Sequence, residues 1–251
     1  MLEIKNLSAG YGGSEVLSDV SLKIGKGALT SLIGINGCGK STLLKTALGI
    51  IKPYRGTVTL DGTSVPEEKR RETAKRIAYL SQGKTVPDMT VAHLVLQGRF
   101  PYLKYPRSYT KEDVEISERA MKKLGITHLA KKELSSLSGG MRQCAYIAMA
   151  LAQETDYILL DEPMTYLDVS HQLELMRILR ALASEGKGIV TVMHDLPMAF
   201  DFSDRIAVLD RGSIVMDGKP SEIYGDGRIE EIFGVRLKYL AAEEKYIYLI
   251  K

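Results

Sequence analysis

Gly34-Ile35-Asn36-Gly37-Cys38-Gly39-Lys40-Ser41-Thr42 decides the fold. It is a glycine, four residues, then Gly-Lys-Ser. Upstream, the apolar, β-branched run Leu29-Thr30-Ser31-Leu32-Ile33 reads as a buried strand. Downstream, Thr42 to Ile50 reads as a helix, with Leu43, Leu44, Ala47 and Leu48 at helical spacing. Strand, glycine loop and helix are the context this motif needs. Three glycines let the backbone turn tightly and aim successive N–H groups inward. Such a nest at a helix N-terminus binds anionic phosphate oxygens. Lys40 adds a point charge for the β- and γ-phosphates, and the Ser41 hydroxyl is placed for Mg2+. The loop implies a nucleotide without saying which one.

The remaining sheet-edge residues follow from other buried strands. Tyr157-Ile158-Leu159-Leu160 is apolar and ends in Asp161-Glu162-Pro163. Two carboxylates at the end of a buried strand are costly unless compensated. At the C-terminal edge of a parallel sheet, the first acid is where Mg2+ sits beside a phosphate loop, and the second can polarise water. Ile189-Val190-Thr191-Val192-Met193 reads as a further buried strand, ending at His194-Asp195. His194 is either a boundary residue or a third polar group at the same edge. Ile77-Ala78-Tyr79-Leu80 is a strand ending at Ser81-Gln82, and Gln82 by itself is a polar boundary residue.

The flanking segments complete the organisation. Leu2 to Leu7 and Val16 to Ile24 alternate apolar and polar, which predicts half-buried strands. Between them Tyr11 lies in a glycine loop, as a surface residue or as an aromatic plate for a purine ring. Lys52 to Gly56 is a turn, and the charges from Glu67 to Arg76 read as a solvated helix face. From Gly83 to about Glu154 the pattern is helical. Thr90 is placed to cap Val91 to Gln97, and Arg99 to Tyr102 with Tyr105-Pro106 reads as an aromatic, proline-rich loop. Lys111 to Leu124 is amphipathic, with Val114, Ile116, Ala120, Met121 and Leu124 inward. Leu137-Ser138-Gly139-Gly140-Met141-Arg142-Gln143 runs into a helix from Cys144 to Ala152; its Ser-Gly-Gly is a plain cap or a second anion cradle. Gln172 to Ala183 is amphipathic, Arg205 to Leu209 and Ile214 to Met216 form a hairpin, and the stretch to Lys251 gives mixed signals.

Composition sets bounds on partners and compartment. The 251 residues suffice for one large α/β domain or two small ones, and for a sizeable core. A net charge of +3 is too mild to indicate nucleic acid or an anionic membrane surface. Two cysteines, Cys38 and Cys144, without metal-type spacing point to a reducing cytosol. No signal peptide is expected, and no apolar window spans a bilayer. Work at a membrane therefore requires spans on another chain.

The Leu-Ser-Gly-Gly stretch, then Leu159-Leu160-Asp161-Glu162-Pro163, then His194-Asp195, together resemble the ATPase subunit of an ATP-binding cassette (ABC) transporter, over essentially residues 1 to 240. The resemblance implies an α/β, P-loop NTPase (RecA-like) core with an antiparallel β subdomain and an inserted α-helical subdomain. Residues 1–82 and 155–251 would form the core with its β subdomain, and residues 83–154 the helical signature subdomain. It implies ATP and Mg2+. Tyr11 would stack on adenine. Gly34, Asn36, Gly37, Cys38, Gly39, Lys40, Ser41 and Thr42 would hold the phosphates, with Lys40 also catalytic. Ser41, Gln82 and Asp161 would hold the metal. Glu162 would be the catalytic carboxylate, Gln82 would meet the attacking water, and His194 would contact the γ-phosphate. Ser138, Gly139 and Gly140 would complete the site of a second copy in a head-to-tail dimer, with Asp168 in the adjoining loop.

Two departures stand out: Met141 where the family has Gln, and Met164 where Thr or Ala is usual. Gly98 to Tyr102, with Met164 to Gln172, resembles importers of iron-siderophores, haem or cobalamin. That resemblance implies membrane permease subunits, an external substrate-binding protein, no nucleic acid, and a peripheral place on the cytoplasmic side of the membrane. A soluble ABC ATPase would usually carry two cassettes or long insertions, and neither occurs here. A GTPase would carry an Asn-Lys-x-Asp motif, which is also missing. Exporter cassettes are often fused to a membrane domain, although separate ones exist.

Overall fold

The computed structural model describes residues 1–65, 69–83 and 86–249. Glu67 and Glu68 of the charged segment, residues 84 and 85 of the helical stretch, and the last two residues lie outside that description. Among the described residues the strands form a four-stranded sheet, a six-stranded sheet and a two-stranded hairpin.

The four-stranded sheet is antiparallel. Its order is β2 (Ser14–Ile24), β1 (Leu2–Tyr11), β4 (Arg55–Leu60) and β5 (Thr63–Ser64). The six-stranded sheet runs β10 (Ser213–Gly218), β9 (Arg205–Asp210), β3 (Ala28–Ile33), β8 (Gly188–Val192), β7 (Tyr157–Leu160) and β6 (Ile77–Leu80). From β9 to β6 every pairing is parallel, and β10 is added antiparallel at one edge. This is the α/β, P-loop NTPase arrangement expected of the chain.

The parallel strands read as unbroken apolar runs because both faces of the sheet are covered. Alternation then sends neighbours to opposite cores. Ile158 and Leu160 face one hydrophobic cluster, built mainly with helices; Tyr157 and Leu159 face the other, built with β1, β2 and α1 (Lys40–Ala47). In the same way Ile189 joins the first cluster, and Val190 and Val192 join the second. The consequence for function is positional. Four adjacent strands, β3, β8, β7 and β6, end on one edge, and each end carries one of the polar groups singled out in the sequence.

Helix α2 (Arg70–Arg76) precedes β6, and between residues 91 and 152 the chain is built from α3 (Val91–Leu96), α4 (Lys111–Lys123) and α5 (Gly139–Ala152), with 3-10 turns between them. Thr90 caps α3 as expected, accepting from the His93 amide at 3.3 Å. Two expectations fail here. Arg99 to Tyr102 is not an open loop but part of a 3-10 turn, Gln97–Tyr102, with Arg99 only 7% exposed. The Arg99 guanidinium donates to Asp113 Oδ1 at 2.9 Å, to the Ala152 carbonyl at 3.0 Å and to Glu154 Oε2 at 3.2 Å. It also lies 4.1 Å from the centroid of the Tyr102 ring. Those partners satisfy a charge that sequence pattern alone would leave in solvent. Val114 is exposed, although it shares a helix face with buried Met121. In the first turn of α4 Asp113 is buried against Arg99, whereas Val114 lines an open groove with Ala92, His93 and Leu96.

The Arg99–Asp113 pair makes a testable contribution to stability. Burial pushes the Asp113 carboxyl up, but the Thr110 backbone and the Arg99 guanidinium outweigh it and hold the pKa below the usual 3.8. A depressed carboxylate contributes stability above its unfolded pKa and loses it as pH falls through the folded one. Arg99→Met should therefore cost about 3–5 kcal/mol in urea unfolding at pH 7. The gap to wild type should narrow below about pH 4, as Asp113 is protonated. Equal unfolding midpoints at pH 7 would show that the pair contributes nothing.

Candidate nucleotide site

The helix α1 starts at Lys40, two residues earlier than its apolar spacing suggested, and ends at Ala47. Glycine geometry explains the early start. Gly37 and Gly39 adopt φ of +80° and +110°, which side chains rarely tolerate. Gly34 is needed for space: a Cβ there would lie 2.2 Å from the Leu209 carbonyl oxygen and 2.7 Å from Cys38 Sγ. The start of α1 has no side-chain cap and no acid in its first turn, so its amides are left for an anion. Lys40 is buried, and its ammonium donates to the Gly34 and Ile35 carbonyls at 2.8 and 2.9 Å. The charge is thus folded across the loop, at the place phosphate oxygens would compete for it. Cys38 is also buried, and burial raises its thiol pKa. Its side chain packs the loop from behind.

Opposite the loop, Asp161 is 2% exposed. Its Oδ2 accepts from the Tyr79 hydroxyl at 3.3 Å, while Oδ1 is buried without a hydrogen-bond partner. Burial pushes its pKa above the ordinary 3.8 and the Glu162 charge adds to the rise; the Ser41 and Tyr79 hydroxyls oppose it. A sealed, orphaned carboxylate oxygen beside a serine hydroxyl fits a hard divalent cation such as Mg2+. Among the described residues no cluster of three or more His, Cys, Asp or Glu could hold a metal alone. The donors on offer are the kind that share a cation with phosphate.

Glu162 occupies a left-handed backbone conformation, φ +52°, which is unusual for a residue with a Cβ. The turn is held by the Thr165 hydroxyl, which donates to the Glu162 carbonyl at 3.1 Å. It aims the carboxylate across the edge of the sheet. Gln82 Nε2 donates to Glu162 Oε2 at 2.6 Å, and His194 Nε2 lies 2.7 Å from Glu162 Oε1. The ends of β6 and β8 thus each deliver a side chain onto Glu162 at the end of β7. With Asn36, Gly37, Gly39, Lys40, Ser41 and Thr42 these three side chains line one cleft of about 600 Å³. Tyr11 closes its far side, half exposed, at the last position of β1 rather than in the loop beyond it.

Ser138, Gly140 and Asp168 do not reach this cleft. Ser138 caps α5, accepting from the Met141 amide at 3.3 Å, and lines a separate pocket with Gly139, Gly140, Tyr166 and Asp168. Gly139 also borders a groove shared with Gln82, Asp161 and Glu162. Asp168 caps helix α6 (Val169–Ser184), which explains why that helix begins three residues before its expected start at Gln172. Its carboxyl is pulled down to about 2, first by the His171 amide and then by the Ser170 hydroxyl. Near the two unusual methionines, Gln143 Nε2 donates to the Pro163 carbonyl at 2.9 Å and ties the α5 start to the loop after Glu162. Met164 packs against the main core.

Tyr79 is a site residue that the motifs did not flag. Its signal was present: alternation along β6 turns it away from buried Ala78 and Leu80, beside the strand that ends in Asp161.

Comparison with known proteins places this geometry. Residues 17–165 match the family described as ABC transporter. The chain is 44% identical over 234 residues to the ferric enterobactin transport ATP-binding protein FepC of Escherichia coli, covering 92% of this chain and 86% of that one. It is 39% identical over 236 residues to the iron(3+)-hydroxamate import ATP-binding protein FhuC of Bacillus subtilis, covering 93% and 88%. A metal-chelate type ABC transporter in an inward-facing conformation superposes with a TM-score of 0.84, at 28% identity over 100% of this chain and 98% of the other. The dimeric bacterial ABC transporter cassette MJ0796 superposes with a TM-score of 0.78, at 29% identity over 88% and 99%. Fold, cleft and sequence agree: the chain belongs to the ABC transporter family, as one of its ATPases.

Proposed function

We propose that this chain hydrolyses ATP to drive import of ferric siderophores through separate membrane subunits. The reading is carried by one observation: Glu162 is held by Gln82 and His194 at the sheet edge facing the phosphate loop. Relatives named for ferric enterobactin and iron(3+)-hydroxamate support the cargo class. Among the described residues no helix is long and apolar enough to cross a membrane, so permease subunits would be other chains. The cassette would then sit peripherally on the cytoplasmic side, fed from outside through a substrate-binding protein.

The cleft supplies the parts for phosphoryl transfer. Tyr11 offers a ring face to adenine. The Gly34 to Thr42 loop and the α1 amides hold the phosphates, and Lys40 exchanges its two carbonyl partners for them. Ser41 and Asp161, with Gln82, are the residues that would hold Mg2+, which supplies charge neutralisation on the β- and γ-phosphates. Glu162 accepts the proton of the attacking water, Gln82 orients that water, and His194 steadies the γ-phosphate.

Ser138, Gly139 and Gly140 head a helix with no acid in its first turn, yet Ser138 and Gly140 lie outside the cleft. They suit the γ-phosphate of a second copy, arranged head to tail. Residues 83–154 then act as the helical signature subdomain, moving against a core made of residues 1–82 and 155–251. Closure of two copies around ATP, and release after hydrolysis, would be felt by the permease near Gln82.

Three tests follow. Glu162→Gln should bind ATP normally and lose turnover about 100-fold or more. Light scattering should show ATP converting that variant from monomer to dimer, and Ser138→Arg should abolish the shift; a monomer with bound ATP would count against the shared site. Asp161→Asn removes a charge whose raised pKa marks it as costly to the empty fold at neutral pH. Its nucleotide-free Tm should rise, by about 2–4 °C for each kcal/mol relieved. The further Tm rise with Mg2+ and ATP should shrink; an undiminished rise would remove Asp161 from the metal site. Deleting the chain from its host should stop uptake of radioactive iron supplied as ferric siderophore, with rescue by wild type and not by Glu162→Gln. Unchanged uptake of every ferric siderophore offered would exclude this cargo class.

A further inference from the structure

His194 stands two residues beyond β8, and the next residue, Asp195, caps helix α7 (Leu196–Phe202) by accepting from the Met198 amide at 2.8 Å. The Leu196 amide at the same helix start donates far along the chain, to the Tyr248 hydroxyl at 2.9 Å. Tyr248 lies in β12 (Lys245–Leu249), which pairs with β11 (Arg236–Leu240) in the C-terminal hairpin. The same hairpin grips the other end of α7. The Tyr246 amide donates to Asp201 Oδ1 at 3.0 Å, Lys245 Nζ lies 3.2 Å from Asp201 Oδ2, and the Tyr246 ring packs on Phe200 with centroids 5.0 Å apart.

A helix of seven residues cannot hold its direction through its own hydrogen bonds. The hairpin holds α7 at both ends, while buried Leu196, Met198, Ala199 and Phe200 seat its inner face in the main core. The direction of α7 sets the backbone of the preceding residues, and so the line along which His194 projects toward Glu162. A displacement of about 1 Å at such a contact costs on the order of 100-fold in rate.

We infer that the C-terminal hairpin positions His194, with Tyr248 acting as the positioning residue through the Leu196 amide. Tyr248 touches no reacting group. Its hydroxyl supplies an acceptor that a helix start otherwise lacks and fixes the angle at which β8 leads into α7. The inference rests on the reading of His194 as the γ-phosphate contact.

The full-length chain provides the test, because it has only four histidines. Histidine ring NMR spectra of the nucleotide-free protein resolve them, and His194→Ala assigns the fourth. Tyr248→Phe should move the His194 signal and leave those of His93, His128 and His171 in place. It should also lower kcat about 3- to 10-fold, the scale of one lost hydrogen bond, with KM for ATP unchanged. A stationary His194 signal, or wild-type kcat, would overturn the inference. So would movement of all four signals together, which would mark Tyr248 as a general structural residue. If His194→Ala itself turns over like wild type, the γ-phosphate reading fails with it; if only His194→Ala is impaired, the hairpin inference alone fails.

Discussion

Asp161 carries a carboxylate into a place where one oxygen has neither water nor a hydrogen-bond partner. Such a group costs stability in the empty protein. The fold keeps it at the end of β7, between strands whose apolar side chains are sealed on both faces. On our proposal, a cation shared with bound phosphate would compensate it. The cost of the unpartnered oxygen would then be returned as affinity for that cation and its phosphate.

The rest of the cleft is held in a similarly unfinished state. Lys40 rests on two backbone carbonyls, Glu162 is engaged by Gln82 and His194, and the α1 amides have no cap. Lys40 and Glu162 have partners they can exchange for a phosphate oxygen or a water, and the α1 amides stand open to an anion. The Ser138 to Gly140 stretch, which we propose as a second anion cradle, faces a different pocket of the same chain. In the proposed dimer, the half-site at the start of α5 would close on the nucleotide held by the phosphate loop of the other copy.

The sequence was most legible where geometry forces residue type. Gly37 and Gly39 must reach positive φ and Gly34 must let Leu209 approach, so the phosphate loop announced itself. The buried strands were legible because two covered faces leave unbroken apolar runs. Legibility failed where the answer depended on a distant partner. Arg99 looked like loop surface until Asp113 and the Ala152 carbonyl were seen around it. Val114 shared the right helical face, but periodicity reports angle and not whether anything packs there. The C-terminal stretch carried no motif, because its value lies in the Leu196 amide, which Tyr248 reaches across 52 residues of chain.

The claim that the working site is completed by a second copy can be tested by mixing two inactive variants. Lys40→Ala lacks its own phosphate contact and keeps an intact Ser138 cradle; Ser138→Arg has the reverse defect. A mixed pair contains one complete site, so ATP hydrolysis should appear on mixing, in proportion to the fraction of mixed dimers. If the mixture stays as inactive as its components while ATP still draws the two variants into mixed dimers, the site is not shared and the account is wrong.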